Sequence, residues 1–265
     1  MEWIAVYFGI GVVAGTLAGM LGVGGGGLIV PMMVAVFAAQ DFPRAEILHL
    51  AVGTSMASII FTSIASSRAH AKRGVLRWDI VRGMTPGIII GGLCGSLFAG
   101  SLPNRELALA FALVFFVAGT LTVLDRQPAP SRGLPGWLGL GIGGFIISGV
   151  SSFAAIGGAF MTIPFLLWCG VPMLQVIGTS SAVGLPIAIT GSVGFMITGF
   201  SATGLPAGSV GYVYLPALGA MLVGSFLMAP IGAATAHRLP VKTLKRILGV
   251  LLFLFALSML WKFWH

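Results

Sequence analysis

Two glycine-rich runs hold the residue types best placed to do chemistry in this chain. Gly22–Gly27 reads GVGGGG and leads into apolar residues and Pro31; a second copy, Ala154–Phe160, reads AAIGGAF and leads into Thr162, Ile163 and Pro164. Each interrupts a long apolar stretch, and glycine costs about 1 kcal/mol per helical position relative to alanine. A half-helix that starts after such a break presents unpaired N–H groups and the positive end of its dipole, and glycine lets backbone approach a ligand closely. That is chemistry for holding a small oxyanion. The candidate binding positions are Gly24, Gly25 and Gly26 in the first copy, and Gly157 and Gly158 in the second. Hydroxyls join them: Thr54 and Ser55 follow Gly53, and Thr179, Ser180 and Ser181 follow Gly178. The competing reading of these hydroxyls is that they bond their own helix or a neighbour, as Ser and Thr do in lipid.

Other chemistries find no support. From Gly133 to Ala236 there is no Asp, Glu, Lys or Arg, and the six carboxylates (Glu2, Asp41, Glu46, Asp79, Glu106, Asp125) all lie at segment ends. With no intramembrane carboxylate or arginine, recognition of a charged solute falls to backbone, hydroxyls and dipoles. No Ser/His/Asp set, metal-ligand cluster or carboxylate pair occurs at catalytic spacing, so no catalytic residue, metal or cofactor is expected and the chain does not read as an enzyme. Gly22–Gly27 also satisfies G-x-G-x-x-G, but that fingerprint needs a preceding strand, and here a membrane-length apolar run precedes it. His49, three residues after Glu46, reads as an interfacial side chain with a protonation switch as the alternative. His70 and His237 read as solvated, and Cys94 and Cys169 as buried small residues.

The elements that must position these groups are membrane helices. The 265 residues are 57% hydrophobic and 8% charged with mean hydropathy +1.06, against about 25% charged in a soluble domain. The net charge of +8 resides in short loops, where it reports topology rather than nucleic-acid binding. Met1-Glu2-Trp3 carries no basic n-region, so the first apolar run does not read as a signal peptide. Apolar segments fall near 4–21, 27–39, 46–67, 78–101, 105–124, 136–154, 158–170, 174–199, 207–234 and 241–262. The stretches 27–39 and 158–170 are too short to span and read as half-helices.

The halves repeat: Gly53-Thr54-Ser55 matches Gly178-Thr179-Ser180, Gly95-Ser96 matches Gly224-Ser225, and Leu102-Pro103 matches Leu239-Pro240. Of the basic residues, eleven surround the 68–82 and 235–246 connections and the central linker, against two (Arg44, Arg105) in the opposite set. Equivalent loops carry opposite charge character, which implies that the halves cross the membrane in opposite senses. Three full helices per half then require each broken stretch to be a hairpin. The expectation is an all-α polytopic membrane protein with an inverted-topology repeat, each half a broken Gly-rich helical hairpin plus three transmembrane helices. Residues 1–125 form the first repeat, 126–135 a cytoplasmic linker and 136–265 the second repeat.

These residues resemble a known family. The run Ala14-Gly15, Gly19, Gly22-x-Gly24-Gly25-Gly26 and Pro31 is similar to the N-terminal signature of the TauE/SafE-type sulfite exporter family, and Ser148-Gly149, Gly157-Gly158, Pro164 and Gly178-Thr179-Ser180 resemble its second half. The resemblance implies a multi-pass transporter of the cell inner (cytoplasmic) membrane that moves sulfite or a small organosulfonate. Its partners would be that small sulfur-containing anion and the lipid bilayer, with homo-oligomerisation left open. Ala159 stands where the first copy has a third glycine, so the two breaks need not bind alike. A membrane-embedded binding or assembly subunit of a sulfur-metabolism complex is the non-transporting alternative.

Overall fold

In lipid every backbone polar group must be satisfied within the segment, so an apolar chain without alternating strands folds as helices. The computed structural model describes residues 2–21, 26–124, 133–236 and 241–264. The first half contributes α1 (Glu2–Leu21), α2 (Gly26–Ala39), α3 (Ile47–Lys72), α4 (Trp78–Ser101) and α5 (Asn104–Leu124). The second contributes α6 (Trp137–Ala154), α7 (Ala159–Trp168), α8 (Met173–Gly199), α9 (Leu215–Ala236) and α10 (Val241–Trp264). Among the described residues, five helices (α3, α4, α5, α6 and α8) are long and apolar enough to cross a membrane. The chain is an all-α polytopic membrane protein.

Both broken stretches double back on themselves. In the first, Tyr7 of α1 lies edge-on to Phe37 of α2, with ring centroids 6.2 Å apart, so α2 returns along α1. In the second, the Phe165 ring of α7 lies against Gly143 of α6. The short arms have 14 and 10 residues, about 21 and 15 Å of helix.

Glycine decides which helices pair. Gly11 and Gly15 of α1 abut the backbone of Met221 and Ser225 of α9, and the Ser225 hydroxyl donates to the Gly11 carbonyl at 3.0 Å. In the same way Gly83, Gly87, Gly91 and Gly95 of α4 abut Leu140, Gly141, Phe145 and Gly149 of α6. In both pairs the register advances in the same direction on each helix, so the partners run parallel. The equivalent helices α3 and α8 behave differently. Gly53 lies beside Phe195, Met56 beside Gly191, Ser63 beside Gly184 and His70 beside Gly178, so this central pair runs antiparallel.

Lipid-facing positions carry Phe98, Phe116, Phe226 and Leu257, all exposed. The interior is filled by Met33, Phe37, Leu48, Met56, Phe111 and Phe195, among others.

Four sequence readings need correction. The apolar segment expected from residue 207 becomes helical only at Leu215, because Ser209–Val210 (β1) and Val213–Tyr214 (β2) form a minimal antiparallel hairpin whose turn uses the positive φ of Gly211. Cys94 is exposed on α4 rather than buried; hydropathy alone does not say which side of a helix meets lipid. His70 is half-buried rather than solvated, because α8 passes close enough to put Gly178 against its Cβ. His49 is buried rather than interfacial, covered by the Tyr212 ring.

Candidate functional site

The two breaks meet. A methyl group on Gly26, the first residue of α2, would run into the Ile59 side chain and lie 2.6 Å from the carbonyl oxygen of Ala155. On Gly27 it would lie 2.9 Å from the Phe115 ring and 3.1 Å from the Ile156 side chain. On Gly157 it would lie 3.3 Å from Ile59. Ile59 sits at the middle of α3, so the start of α2 and the α6–α7 turn are both held against the centre of the bundle. Gly24 and Gly25 lie outside the described residues.

The second turn shows why this sequence breaks. Ala155, Gly157 and Gly158 have φ of 49°, 67° and 75°. Glycine adopts this left-handed conformation freely, whereas an L-residue such as Ala155 does so at about 1–2 kcal/mol. Gly158 then takes the N-cap position of α7, where its carbonyl accepts the Met161 and Thr162 amides at 3.1 and 2.9 Å. Ala159 is already helical and has no need of glycine. Downstream, Pro31 and Pro164 lack an N–H, which frees the carbonyls of Gly27 and Phe160 inside the first turn of each short arm.

The hydroxyl candidates divide into three kinds. Ser55 is fully buried and donates to the Gly26 carbonyl at 2.6 Å, so it belongs to the break. Ser180 and Ser181 donate into their own helix, to Ile177 and Gly178 at 3.0 and 2.7 Å. Thr54 and Thr179 reach across the molecule in matching ways. The Thr54 oxygen accepts the Tyr214 N–H at 3.0 Å, and the Thr179 oxygen accepts the Arg77 N–H at 3.2 Å. Tyr214 precedes α9 and Arg77 precedes α4, so each threonine fastens the opposite half's connection to the central helix pair.

Valine at either threonine would leave a partly buried N–H without an acceptor, at a cost of about 1–3 kcal/mol. Thr54→Val and Thr179→Val are each expected to lower unfolding stability in detergent by about that amount, with the double variant close to the sum. Unchanged melting of both single variants would dismiss the clasp.

Sequence reasoning passed over Thr162 and Ser148. Both are fully buried with hydroxyl oxygens that lack a partner. A helical threonine ordinarily bonds the carbonyl four residues back; for Thr162 that is Gly158, which already accepts two amides. The signal was Thr162 standing one turn after the break and two residues before Pro164. Near the same turn, Gly184 of α8 packs against the Gly157 carbonyl and the Ser63 hydroxyl, at 3.1 and 3.0 Å from its would-be Cβ. Among the described residues no group of three or more His, Cys, Asp or Glu side chains is placed to hold a metal ion.

At one end of the bundle, Glu46, His49 and Tyr212 form a small polar cluster. The His49 ring stacks on that of Tyr212 with centroids 4.9 Å apart, and its Nδ1 is 4.0 Å from a Glu46 carboxylate oxygen. Burial, and then the Glu46 carboxylate, push the Tyr212 phenol well above the ordinary tyrosine range, so it stays a neutral donor.

Comparison with known proteins gives a consistent result. A family model described as "Sulfite exporter TauE/SafE" matches residues 7–259. The chain is 35% identical to a probable membrane transporter protein of Haemophilus influenzae, over 96% of each chain. It is 26% identical to the probable membrane transporter protein YdhB of Bacillus subtilis, over 87% of this chain and 89% of the relative. It is also 26% identical to a probable membrane transporter protein of Methanocaldococcus jannaschii, over 95% and 93%. No solved structure matches the chain.

Proposed function

The chain belongs to the TauE/SafE sulfite exporter family of membrane transporters, and from that premise we propose that it is a secondary transporter of a small sulfur-containing anion, of the sulfite or small-organosulfonate class, in the cytoplasmic membrane. The observation that carries this reading is the meeting of the two breaks against the centre of α3. There the N-termini of α2 and α7 bring first-turn N–H groups and two positive dipole ends to one region. Each such end favours an anion by about 0.3–1 kcal/mol when exposed and up to about 2 kcal/mol when partly buried. Gly24, Gly25 and Gly26 with Ser55, and Gly157 and Gly158, would form the two sides of the site. Thr54, Thr179, Ser180 and Ser181 would act on it through the helices they hold. Thr162 is a further candidate to face the anion.

We propose also that residues 1–125 and 136–265 are inverted repeats. The antiparallel course of α3 and α8 supports this, as does the exchange of α1·α9 for α6·α4 when the halves are interchanged. An inverted pair would bring one hairpin into the membrane from each side, with the anion between them.

Purified protein in liposomes tests the reading directly. Radiolabelled sulfite, thiosulfate and small sulfonates, each given its own concentration gradient, are expected to include at least one that the protein moves faster than empty liposomes. Absence of flux for all of them, from protein that is folded and inserted, would sink the transporter reading and favour the non-transporting subunit.

A further inference from the structure

His49 combines burial, isolation and an unusual set of neighbours. It is 3% exposed, and neither ring nitrogen has a hydrogen-bond partner. The groups that face it come from every element packed around it. Glu46 lies at the head of its own helix, the carbonyls of Ala99 and Leu102 come from the end of α4, and the Asn104 amide comes from the start of α5. Tyr212 covers the ring from the α8–α9 connection. Glu46 is the charged member of this set.

The Asn104 amide is turned in an informative way. Its Nδ2 donates to the Arg44 carbonyl at 2.5 Å, which leaves Oδ1 buried and without a partner. The neighbours that His49 could bond are therefore acceptors. A neutral imidazole has one N–H and one lone pair, and the lone pair finds no donor here. An imidazolium has two N–H donors and no lone pair; burial disfavours its charge, and the carboxylate, two carbonyls and amide oxygen around the ring are the groups that oppose that cost.

We propose that His49 is a proton-binding site through which this chain couples movement of its substrate to a pH gradient. The proton comes from water that reaches Glu46, which is 21% exposed, and forms an N–H bond at the unprotonated ring nitrogen. The Glu46–His49 pair thereby passes from −1 to neutral, and the proton returns to water when the bond breaks. Movement follows through Tyr212. Its phenol faces the same carboxylate, its carbonyl abuts Gly53, and its amide donates to the Phe195 carbonyl at 3.2 Å. A charged His49 competes with Tyr212 for Glu46, and so acts on the connection that Thr54 fastens to α3. The coupling rests on the transport reading above; the proton site itself does not.

The test has two arms. In detergent, His70, His237 and His265 are replaced by Gln, so that His49 is the single histidine, and its ring ¹⁵N resonances are followed from pH 4 to 9. They are expected to titrate, and E46Q is expected to shift the midpoint by on the order of one pH unit. A ring that keeps one protonation state across the range, or a midpoint indifferent to E46Q, overturns the site. In liposomes the transported anion is supplied at equal concentration on both sides and a pH gradient is imposed. The wild type is expected to accumulate it, H265Q to do the same, and H49Q to lose accumulation. A wild type or an H49Q variant that ignores this expectation overturns the coupling. Failure of all anion flux sinks the transport reading alone and leaves the NMR arm to decide the site.

Discussion

Gly158→Val is expected to reduce anion flux in liposomes by more than about tenfold while the protein still inserts and purifies as a folded species. Two costs combine at this position. The backbone sits at φ 75°, a conformation that disfavours any L-residue by about 1–2 kcal/mol and a β-branched one by more. The new Cβ would also run into Cδ1 of the buried Ile187, whose side-chain end must turn aside, and overpacking typically costs about 1–3 kcal/mol. The turn has to move to relieve the backbone cost, and movement there displaces the N-terminus of α7 from the proposed anion site. The damage is local because the long helices are paired elsewhere. Gly219→Val, at a position with nothing within 4 Å of the added Cβ, is the control and is expected to transport normally. Full flux through Gly158→Val would remove the second break from the site.

The second large effect concerns stability. Gly87→Ala is expected to destabilise the bundle by at least about 3 kcal/mol, whereas Gly141→Ala, on the facing helix, is expected to be neutral or mildly stabilising. The two glycines touch, yet their hydrogens point differently. A methyl on Gly87 would enter the Gly141 carbonyl, and backbone cannot move aside as a side chain can. A methyl on Gly141 meets only the Gly83 carbonyl at 3.9 Å, an ordinary contact. Alanine there also gains about 1 kcal/mol of helix propensity. Thermal or denaturant unfolding in one detergent, with the variants side by side, decides the matter. Equal stability of the two would show that α4 and α6 do not approach as closely as their backbones lie.

These two tests mark where sequence is informative and where it stops. The breaks were legible because glycine at that density contradicts the apolar run around it; α6 ends at Ala154 and α7 starts at Ala159, while residues 22–25 of the first break lie outside the described residues. The four-residue spacing of Gly87, Gly91 and Gly95 announced a packed face, but spacing is silent on whether the partner is α6 or another helix. It is equally silent on whether Gly87 or Gly141 points into the contact. Gly53-Thr54 and Gly178-Thr179 were visible as a recurring pair. Their crossed bonds to Tyr214 and Arg77 depend on which connection folds over which helix, a property of the assembled pair that neither half contains. His49 was misjudged for the same reason. Its cover, Tyr212, is 163 positions away and sits in a two-strand hairpin too short to leave an alternating pattern.

The parallel seam between α1 and α9 has a consequence for how the protein comes into being. Gly11 and Gly15 find their places only against Met221 and Ser225, which leave the ribosome roughly 200 residues later. At about 5–20 residues per second, that is an interval of some 10–40 s. Throughout it α1 is without its mate, its glycine stripe open to other neighbours. Birth order and packing order are thus opposed in this chain: α1 is made long before α9, yet cannot settle until α9 arrives.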